Sequence, residues 1–483
     1  MNQSGHYPNA RLRQQLLPRR WDRLCARFLP VTSGDTIWRY SRVPAPDDPQ
    51  QGWKIHIAAT VLTANRVMER VGPFLNNLNI LFKAPRSLHE LSRLNCGLFY
   101  GFSQVGKFVT VYPRSTEHAV SLARELTRLT NRLIAPAVPY DLRFQNSRCV
   151  FYRYGAFDGS LEIVNEDGTR LPAVRNPKGE LVEDQRTPGA AAPPWLINPF
   201  PKPRSRRKAS DVSPLKTTIR AFEALSQRGK GGVYRALDLS VLPARLCVLK
   251  EGRRHGETDW DGRDGFWRVR HEGTVLAALS AAGVPVPEVY LTFQTGQHCY
   301  LATEFIDGEN LQSLLSKKGK LSVLQALKFG TQIAETLAQI HDAGWVWRDC
   351  KPLNLMVSKD GSLRPLDFEG SCPIDRSDPM PWGTEGYVPP EFANIPASRS
   401  RLPEDLYALG ATLRQLLSGQ TPKTEEPRTQ LPDLGPRVPA AIKNLVAGLL
   451  DPTPQLRPSA RVASQVLTKA LSARRNAKSL GRI

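Results

Sequence analysis

The sequence predicts an α+β protein of two domains joined by a connector. Three observations support that prediction. The chain has 483 residues, more than one ordinary core organises, and 41% of them are hydrophobic, enough for packed globular units. Residues 35–157 mix strand-like with helix-like segments, whereas from Leu215 to Lys469 strands give way to mostly helical periodicity. Between these regions, residues 187–214, TPGAAAPPWLINPFPKPRSRRKASDVSP, carry the proline and basic density of a linker.

Taken in order, the chain reads as an N-terminal extension (1–34), a mixed domain (35–186), the linker (187–214), a second domain (215–470) and a basic tail (471–483) expected to be loosely ordered. In the first domain the expected strands are WKIHIAATV, LNILFKA, KFVTVYP and CVFYRYGAF, with an amphipathic helix around Thr116–Leu133. EDGTRL and NPKGEL have the turn chemistry of short hairpins.

A formal charge of +21 asks for a negative partner: an acidic peptide, a phosphorylated group, a nucleotide or a nucleic acid. No finger, RNA-recognition signature or basic-aromatic repeat supports nucleic acid. No apolar run approaches the roughly 18 residues of a membrane span, and MNQSGHYPNARLRQQLLPRRW lacks a secretory core. Seven cysteines without CxxC spacing make neither a disulfide framework nor a zinc site, so a reducing cytoplasm is the expected compartment.

In the second domain, HDAGWVWRDCKPLNLMV followed by LRPLDFEGS resembles the catalytic loop and metal-binding segment of eukaryotic-type protein kinases, which implies a bilobal fold. By that resemblance Asp349 accepts the substrate hydroxyl's proton and Lys351 neutralises the transferred phosphoryl. Asn354 and Asp367 hold magnesium. Lys250 in CVLK matches the lysine on the alpha and beta phosphates of ATP, with Glu272 as its ion-pair partner. ATEFIDGENL, with Glu304 and Ile306, resembles the adenine hinge. Glu391 is expected to pair with Arg457, and Asp405 to brace the catalytic loop. Gly229, Gly231 and Gly232 in SQRGKGGVY are the candidate phosphate-covering turn, more crowded than the kinase pattern. Two further departures are Trp347 in place of the histidine before Arg348, and Glu369 in place of the glycine after Phe368. The competing reading is a pseudokinase that keeps only the fold.

In GWKIHIAAT, Trp53, Ile55 and Ile57 alternate with Lys54 and His56, so a strand would place the lysine and histidine on one face. That face is either solvated or a site. Lys83 in ILFKAP, Lys107 in GKFVTVYP and Arg153 in VFYRYGAF add cations on neighbouring segments; on one side of a sheet they would form a dianion pocket. A desolvated lysine among cations is a competent base, and an imidazole a competent acid. Lys54 and His56 would then eliminate phosphate from phosphoserine or phosphothreonine, leaving a dehydroamino acid, with no metal required.

GWKIHIAATVLTANRV, LNILFKAPRS, GKFVTVYPRSTEHA and FYRYGAFDG, followed by the kinase segments, resemble the class III and IV lanthipeptide synthetases, whose N-terminal domain is similar to bacterial effector phosphothreonine lyases. The resemblance implies a two-step dehydratase, kinase then lyase, acting on serine and threonine of a ribosomal precursor peptide. It makes Lys54 and His56 base and acid, sets Lys83, Lys107 and Arg153 on the phosphate, and adds Tyr154 as a further candidate. Those synthetases continue into a cyclase domain, whereas this sequence stops shortly after the kinase segments. Dehydration without ring closure is therefore expected of this polypeptide, with a separate cyclase as a possible partner. The basic surface suggests an acidic leader on the peptide. The alternative is a Ser/Thr protein kinase whose first half binds a regulator or phosphopeptide without chemistry.

Overall fold

The computed structural model describes residues 10–32, 34, 36–157, 159–185, 192–201, 218–376, 378, 380, 382–391, 400–422 and 434–480. Much of the expected 187–214 linker lies outside the described residues. The chain divides into two compact units. One comprises residues 1–245, 249–267 and 294–300; the other comprises 246–248, 268–293 and 301–483.

The first unit is organised by a seven-stranded sheet. Its strands are β1 (Val31–Thr32), β2 (Trp38–Tyr40), β3 (Gln51–Ile57), β4 (Leu81–Pro85), β5 (Val109–Tyr112), β6 (Leu142–Arg143) and β7 (Val150–Ala156). They lie in the order β1-β2-β4-β5-β3-β7-β6, with antiparallel neighbours throughout. The alternation in β3 settles its facing: Trp53, Ile55 and Ile57 are buried hydrophobics on one side, Lys54 and His56 on the other.

Three helices, α2 (Ala64–Asn77), α3 (Leu88–Cys96) and α4 (Thr116–Leu129), follow strands or loops of this sheet. Ser87 and Ser115 start two of them by accepting the backbone N–H of Glu90 and His118. Gly97, at φ 75°, closes α3.

The expected N-terminal extension is structural. Helix α1 (Ala10–Phe28) packs on α2 and α3, burying Trp21, Cys25 and Phe28, and the Trp21 indole donates to the Pro85 carbonyl at 3.2 Å. A three-stranded sheet of β8 (Glu162–Val164), β9 (Arg170–Arg175) and β10 (Leu181–Glu183) follows β7, in the order β10-β9-β8. Its turns use Gly168 and Gly179 at φ 81° and 84°, as the hairpin chemistry requires. Its core is small: Leu161, Ala173 and Val174 against Ala156.

Further strands are β11 (Ile219–Arg228), β12 (Gly231–Asp238), β13 (Arg245–Arg253), β14 (Val289–Thr295) and β15 (His298–Glu304), in a sheet ordered β11-β12-β13-β15-β14. Helix α5 (Gly265–Ala281) lies between β13 and β14 in sequence. The helical part contains α6 (Leu311–Lys318), α7 (Val323–Asp342), α8 (Leu402–Ser418), α9 (Ala440–Leu449) and α10 (Ala460–Leu480). Helix α7 begins in a Ser322–Gln325 capping box and packs against α8 and α10. The expected loose tail is largely helix. ALSARRNAKSL contains strong helix formers and neither proline nor glycine, so α10 runs on to Leu480. Among the described residues no helix is long and apolar enough to cross a membrane.

Candidate active site

Strand register gathers the cationic residues of the first unit. Lys54 lies directly opposite Arg153 across β3 and β7, and His56 opposite Thr110 across β3 and β5; Thr110 in turn opposes Lys83 on β4. Opposed residues share a face. Lys54, His56, Thr110, Lys83 and Arg153 thus line one cavity of about 940 Å³, together with Lys107, Tyr40, Trp38, Tyr112 and Asp184. Lys107 precedes β5, following Gly106 at φ 79°, where a Cβ would lie 2.9 Å from the Ala137 carbonyl oxygen. The Lys83 ammonium sits over the Trp38 ring, 4.6 Å from its centroid.

Tyr154 is the exception. As the neighbour of Arg153 on a two-residue repeat it faces the other way, edge-on to Trp53 at 5.6 Å and accepting from the Gln51 amide at 3.0 Å. It leaves the phosphate-binding set on that geometry.

Burial, reinforced by Arg153, lowers the Lys54 ammonium to about 7. Burial also pushes His56 down to about 4, against the pull of Asp141. Asp141 was not singled out in the sequence, where VPYDLRF has no motif; the tertiary fold brings it in. Its Oδ2 accepts from His56 Nδ1, and its Oδ1 lies 3.5 Å from the Lys107 ammonium. Burial opposes its ionisation, yet His56 and Lys107 outweigh that and hold its carboxyl well below the usual range. Asp184 is a second acid absent from the sequence reading; it takes the Arg153 guanidinium with contacts of 2.5 and 3.3 Å.

In the second unit the catalytic-loop groups converge. Lys351 Nζ donates to Asp349 Oδ2 at 2.6 Å, Asn354 Nδ2 donates to the same oxygen at 2.8 Å, and the Thr384 hydroxyl donates to Oδ1 at 2.8 Å. Thr384, in GTEGY, is a member that the sequence reading did not name. Burial raises the Asp349 carboxyl, Lys351 opposes it, and Asp367 adds to the rise. Arg348 and Asp367 hold φ of 71° and 66°, strained for residues with side chains.

The strain is braced from two sides. Asp405 accepts the backbone N–H of Trp347 and Arg348 at 2.8 and 2.6 Å, as expected of the bracing aspartate. The Trp347 indole donates to the Asp367 carbonyl at 3.1 Å and stacks on Phe368. The tryptophan thus ties the catalytic loop to the DFE segment. The Glu272 carboxylate accepts from the Phe368 N–H at 3.1 Å. Glu391 and Arg457 pair at 2.6 and 2.9 Å, as the sequence indicated.

Lys250 lies within β13, and Glu304 closes β15 with its carboxylate on Arg364 at 2.7 Å and its N–H on the Glu288 carbonyl at 2.9 Å; Ile306 is buried. Gly229 requires a correction. Its N–H already donates to the Cys96 carbonyl at 2.9 Å, and a Cβ there would lie 1.6 Å from the Asn95 oxygen. Its bareness serves the end of α3, and its N–H is not free for phosphate. Gly231 likewise sits where a Cβ would meet the Glu251 carbonyl at 1.7 Å, and Gly232 packs on Tyr234.

Among the described residues no cluster of three or more His, Cys, Asp or Glu could hold a metal. The donor set nevertheless fits a divalent ion of the magnesium kind. Such an ion takes one or two protein oxygens and completes its shell with substrate phosphates and water, and Asn354 with Asp367 supplies that pair.

This arrangement is that of a protein kinase domain, and residues 229–469 match the protein kinase domain family. Residues 29–212 match the family described as RamC, N-terminal domain. The chain therefore joins a RamC N-terminal domain to a protein kinase domain, in agreement with the resemblance drawn from its motifs. Over 399 residues, 80% of this chain and 41% of the relative, it is 33% identical to the "Probable SapB synthase" of Streptomyces coelicolor. It is 31% identical to 3-phosphoinositide-dependent protein kinase 1 of Arabidopsis thaliana over 42% of this chain and 44% of that protein. Serine/threonine-protein kinase F of Synechocystis is also 31% identical, over 41% and 43%. The chain spans less than half the length of each of these relatives.

Proposed function

We propose that the protein is a bifunctional peptide dehydratase of lanthipeptide-type biosynthesis. Its second domain phosphorylates serine and threonine of a ribosomal precursor peptide, and its first domain eliminates the phosphate. The observation that carries the reading is the single sheet face on which Lys54 and His56 stand among Lys83, Lys107 and Arg153.

For phosphorylation, Asp349 takes the hydroxyl proton while Lys351 and Thr384 fix its carboxylate. By the kinase resemblance, Lys250 and the Gly231–Gly232 turn are the groups we assign to the ATP phosphates, Glu272 is assigned as the partner of that lysine, and the Glu304–Ile306 backbone is assigned to the adenine. Asn354 and Asp367 would hold Mg²⁺, which supplies charge neutralisation on the phosphates.

For elimination, Lys83, Lys107 and Arg153 bind the phosphoester. Neutral Lys54, accessible near pH 7, removes the Cα proton. The Cα–H electrons form the Cα=Cβ bond, the Cβ–O bond breaks, and the phosphate leaves with that electron pair. His56 protonates the departing oxygen. Low in the free protein, its pKa rises when a phosphate dianion enters beside it, and Asp141 holds the ring. The net change is loss of water from the original alcohol. A reducing cytoplasm suits the seven cysteines, none of them in a disulfide.

The test is incubation with ATP, Mg²⁺ and a candidate precursor peptide, read by mass. Loss of one water per site supports the proposal. Retained phosphate would instead leave a protein kinase with a non-catalytic first domain.

A further inference from the structure

We propose that Asp184 is an internal competitor for the phosphate subsite: its carboxylate takes the fork of Arg153, and an incoming phosphoester must displace it. The proposal rests on the reading of the cavity given above.

A carboxylate meets a guanidinium through two parallel N–H···O contacts, and a phosphate does so through the same two points. Arg153 presents that fork to Asp184, Nη2 to Oδ1 at 2.5 Å and Nη1 to Oδ2 at 3.3 Å, with both side chains nearly fully buried at 4% and 6% exposed. Both residues line the cavity that holds Lys54, Lys83 and Lys107. The two Nη groups that Asp184 occupies are the ones that a phosphate taking the same fork would use, so the two anions compete for that edge of the guanidinium.

Position in the fold decides between a competitor and a fixed strut. The Asp141 side chain, by contrast, is fully buried against His56 and Lys107. Asp184 lies one residue beyond β10, the edge strand of the small sheet, where Leu181 and Glu183 are exposed and Val182 packs on a small cluster of buried residues. Its own N–H is held by the Pro172 carbonyl at 2.7 Å. A shift of this edge would give up the short β9–β10 pairing, a local opening that does not require the seven-stranded sheet to unpair. The carboxylate also tempers the like charges, since Asp184 raises Lys54 where Arg153, Lys107 and Lys83 lower it. After elimination, its return to Arg153 would expel inorganic phosphate.

The test is calorimetric titration of the full chain with inorganic phosphate, comparing the parent with Asp184→Asn. Competition predicts binding about tenfold tighter in the variant, the scale expected on removing a close charge competitor. It also predicts a lower KM for pre-phosphorylated peptide with stronger product inhibition by phosphate. Unchanged or weaker phosphate binding in the variant overturns the proposal, while the elimination reading stands if the parent still dehydrates peptide. If the parent binds no phosphate and leaves it on the peptide, both fall. Should the variant fold poorly, hydrogen exchange on the parent decides: saturating phosphate should speed exchange of the Asp184 amide, and an unchanged rate overturns displacement.

Discussion

Lys54 and Arg153 stand directly opposite each other on neighbouring strands, two cations on one rung of the sheet. Like charges so placed destabilise a sheet by up to about 1 kcal/mol, and burial adds to that. The pair persists because Asp184 neutralises the arginine, and because Lys54, desolvated beside it, gives up its proton near pH 7. The same placement that costs stability leaves an amine able to exchange a proton near pH 7.

Replacing Lys54 by Met or His56 by Asn should therefore stop elimination without stopping phosphorylation. The expected loss is about 10²- to 10⁴-fold, the usual contribution of one acid or base. Mass spectrometry of the peptide should show phosphate retained; undiminished dehydration in both variants removes them from the mechanism.

The Lys54 pKa sets two pH dependences. The kcat/KM for elimination from pre-phosphorylated peptide should rise with pH through about 7 as the base form of the free protein appears, whereas in kcat the bound phosphate should move that limb higher. Lys107 helps to lower Lys54, so Lys107→Met should move that limb to higher pH. For stability the sign follows from proton counting: between about 7 and 10.5 the unfolded chain binds more protons than the folded one. Stability should increase with pH across that window, and Lys54→Met should raise the melting temperature at pH 7.

Asp141→Asn removes a charge that raises His56. The histidine should titrate lower still, as followed by its ring-proton resonance, and elimination should slow while phosphorylation is unchanged. An unmoved His56 titration would argue that Asp141 does not hold the ring.

In the kinase domain, Asp349→Asn should abolish phosphorylation yet leave elimination from pre-phosphorylated peptide intact. Thr384→Ala, which removes a 2.8 Å bond to the Asp349 carboxylate, should lower phosphorylation by about ten- to a hundredfold, the range of a lost charge-assisted hydrogen bond. Paired assays on one preparation separate the two activities.

Gly229→Ala would drive a Cβ into the Asn95 carbonyl oxygen. The turn must move or the end of α3 must yield. A lowered melting temperature, by thermal denaturation, is expected even without nucleotide. If the glycine served only ATP, the change would appear in the nucleotide KM alone.

Much of this was legible in the amino-acid order. Asp349, Lys351 and Asn354 are fixed by spacing along one loop, and the Glu391–Arg457 and Asp405 relationships follow from the motifs around them. Alternation placed Lys54 and His56 on one face, since a strand has only two faces and the apolar residues claim one. The same rule should have excluded Tyr154, which follows Arg153 by one residue. The tail is helical to Leu480 although its charge suggests a loose end, because a run of good helix formers without proline or glycine continues α10.

Other parts had to wait for the fold. Asp141, Asp184 and Thr384 lie 85 residues from His56, 31 from Arg153 and 35 from Asp349, in segments without a motif. Gly229 looked like a nucleotide glycine because a close approach of another backbone leaves the same mark in sequence as a phosphate does. The sequence by itself determined the kinds of chemistry available, because local spacing and two-fold alternation are properties of the chain. Only the tertiary structure decided which acids neutralise which cations. Those pairings depend on strand register and loop packing between distant segments, and the Coulomb energy that sets them falls with distance in space, whatever the separation along the chain.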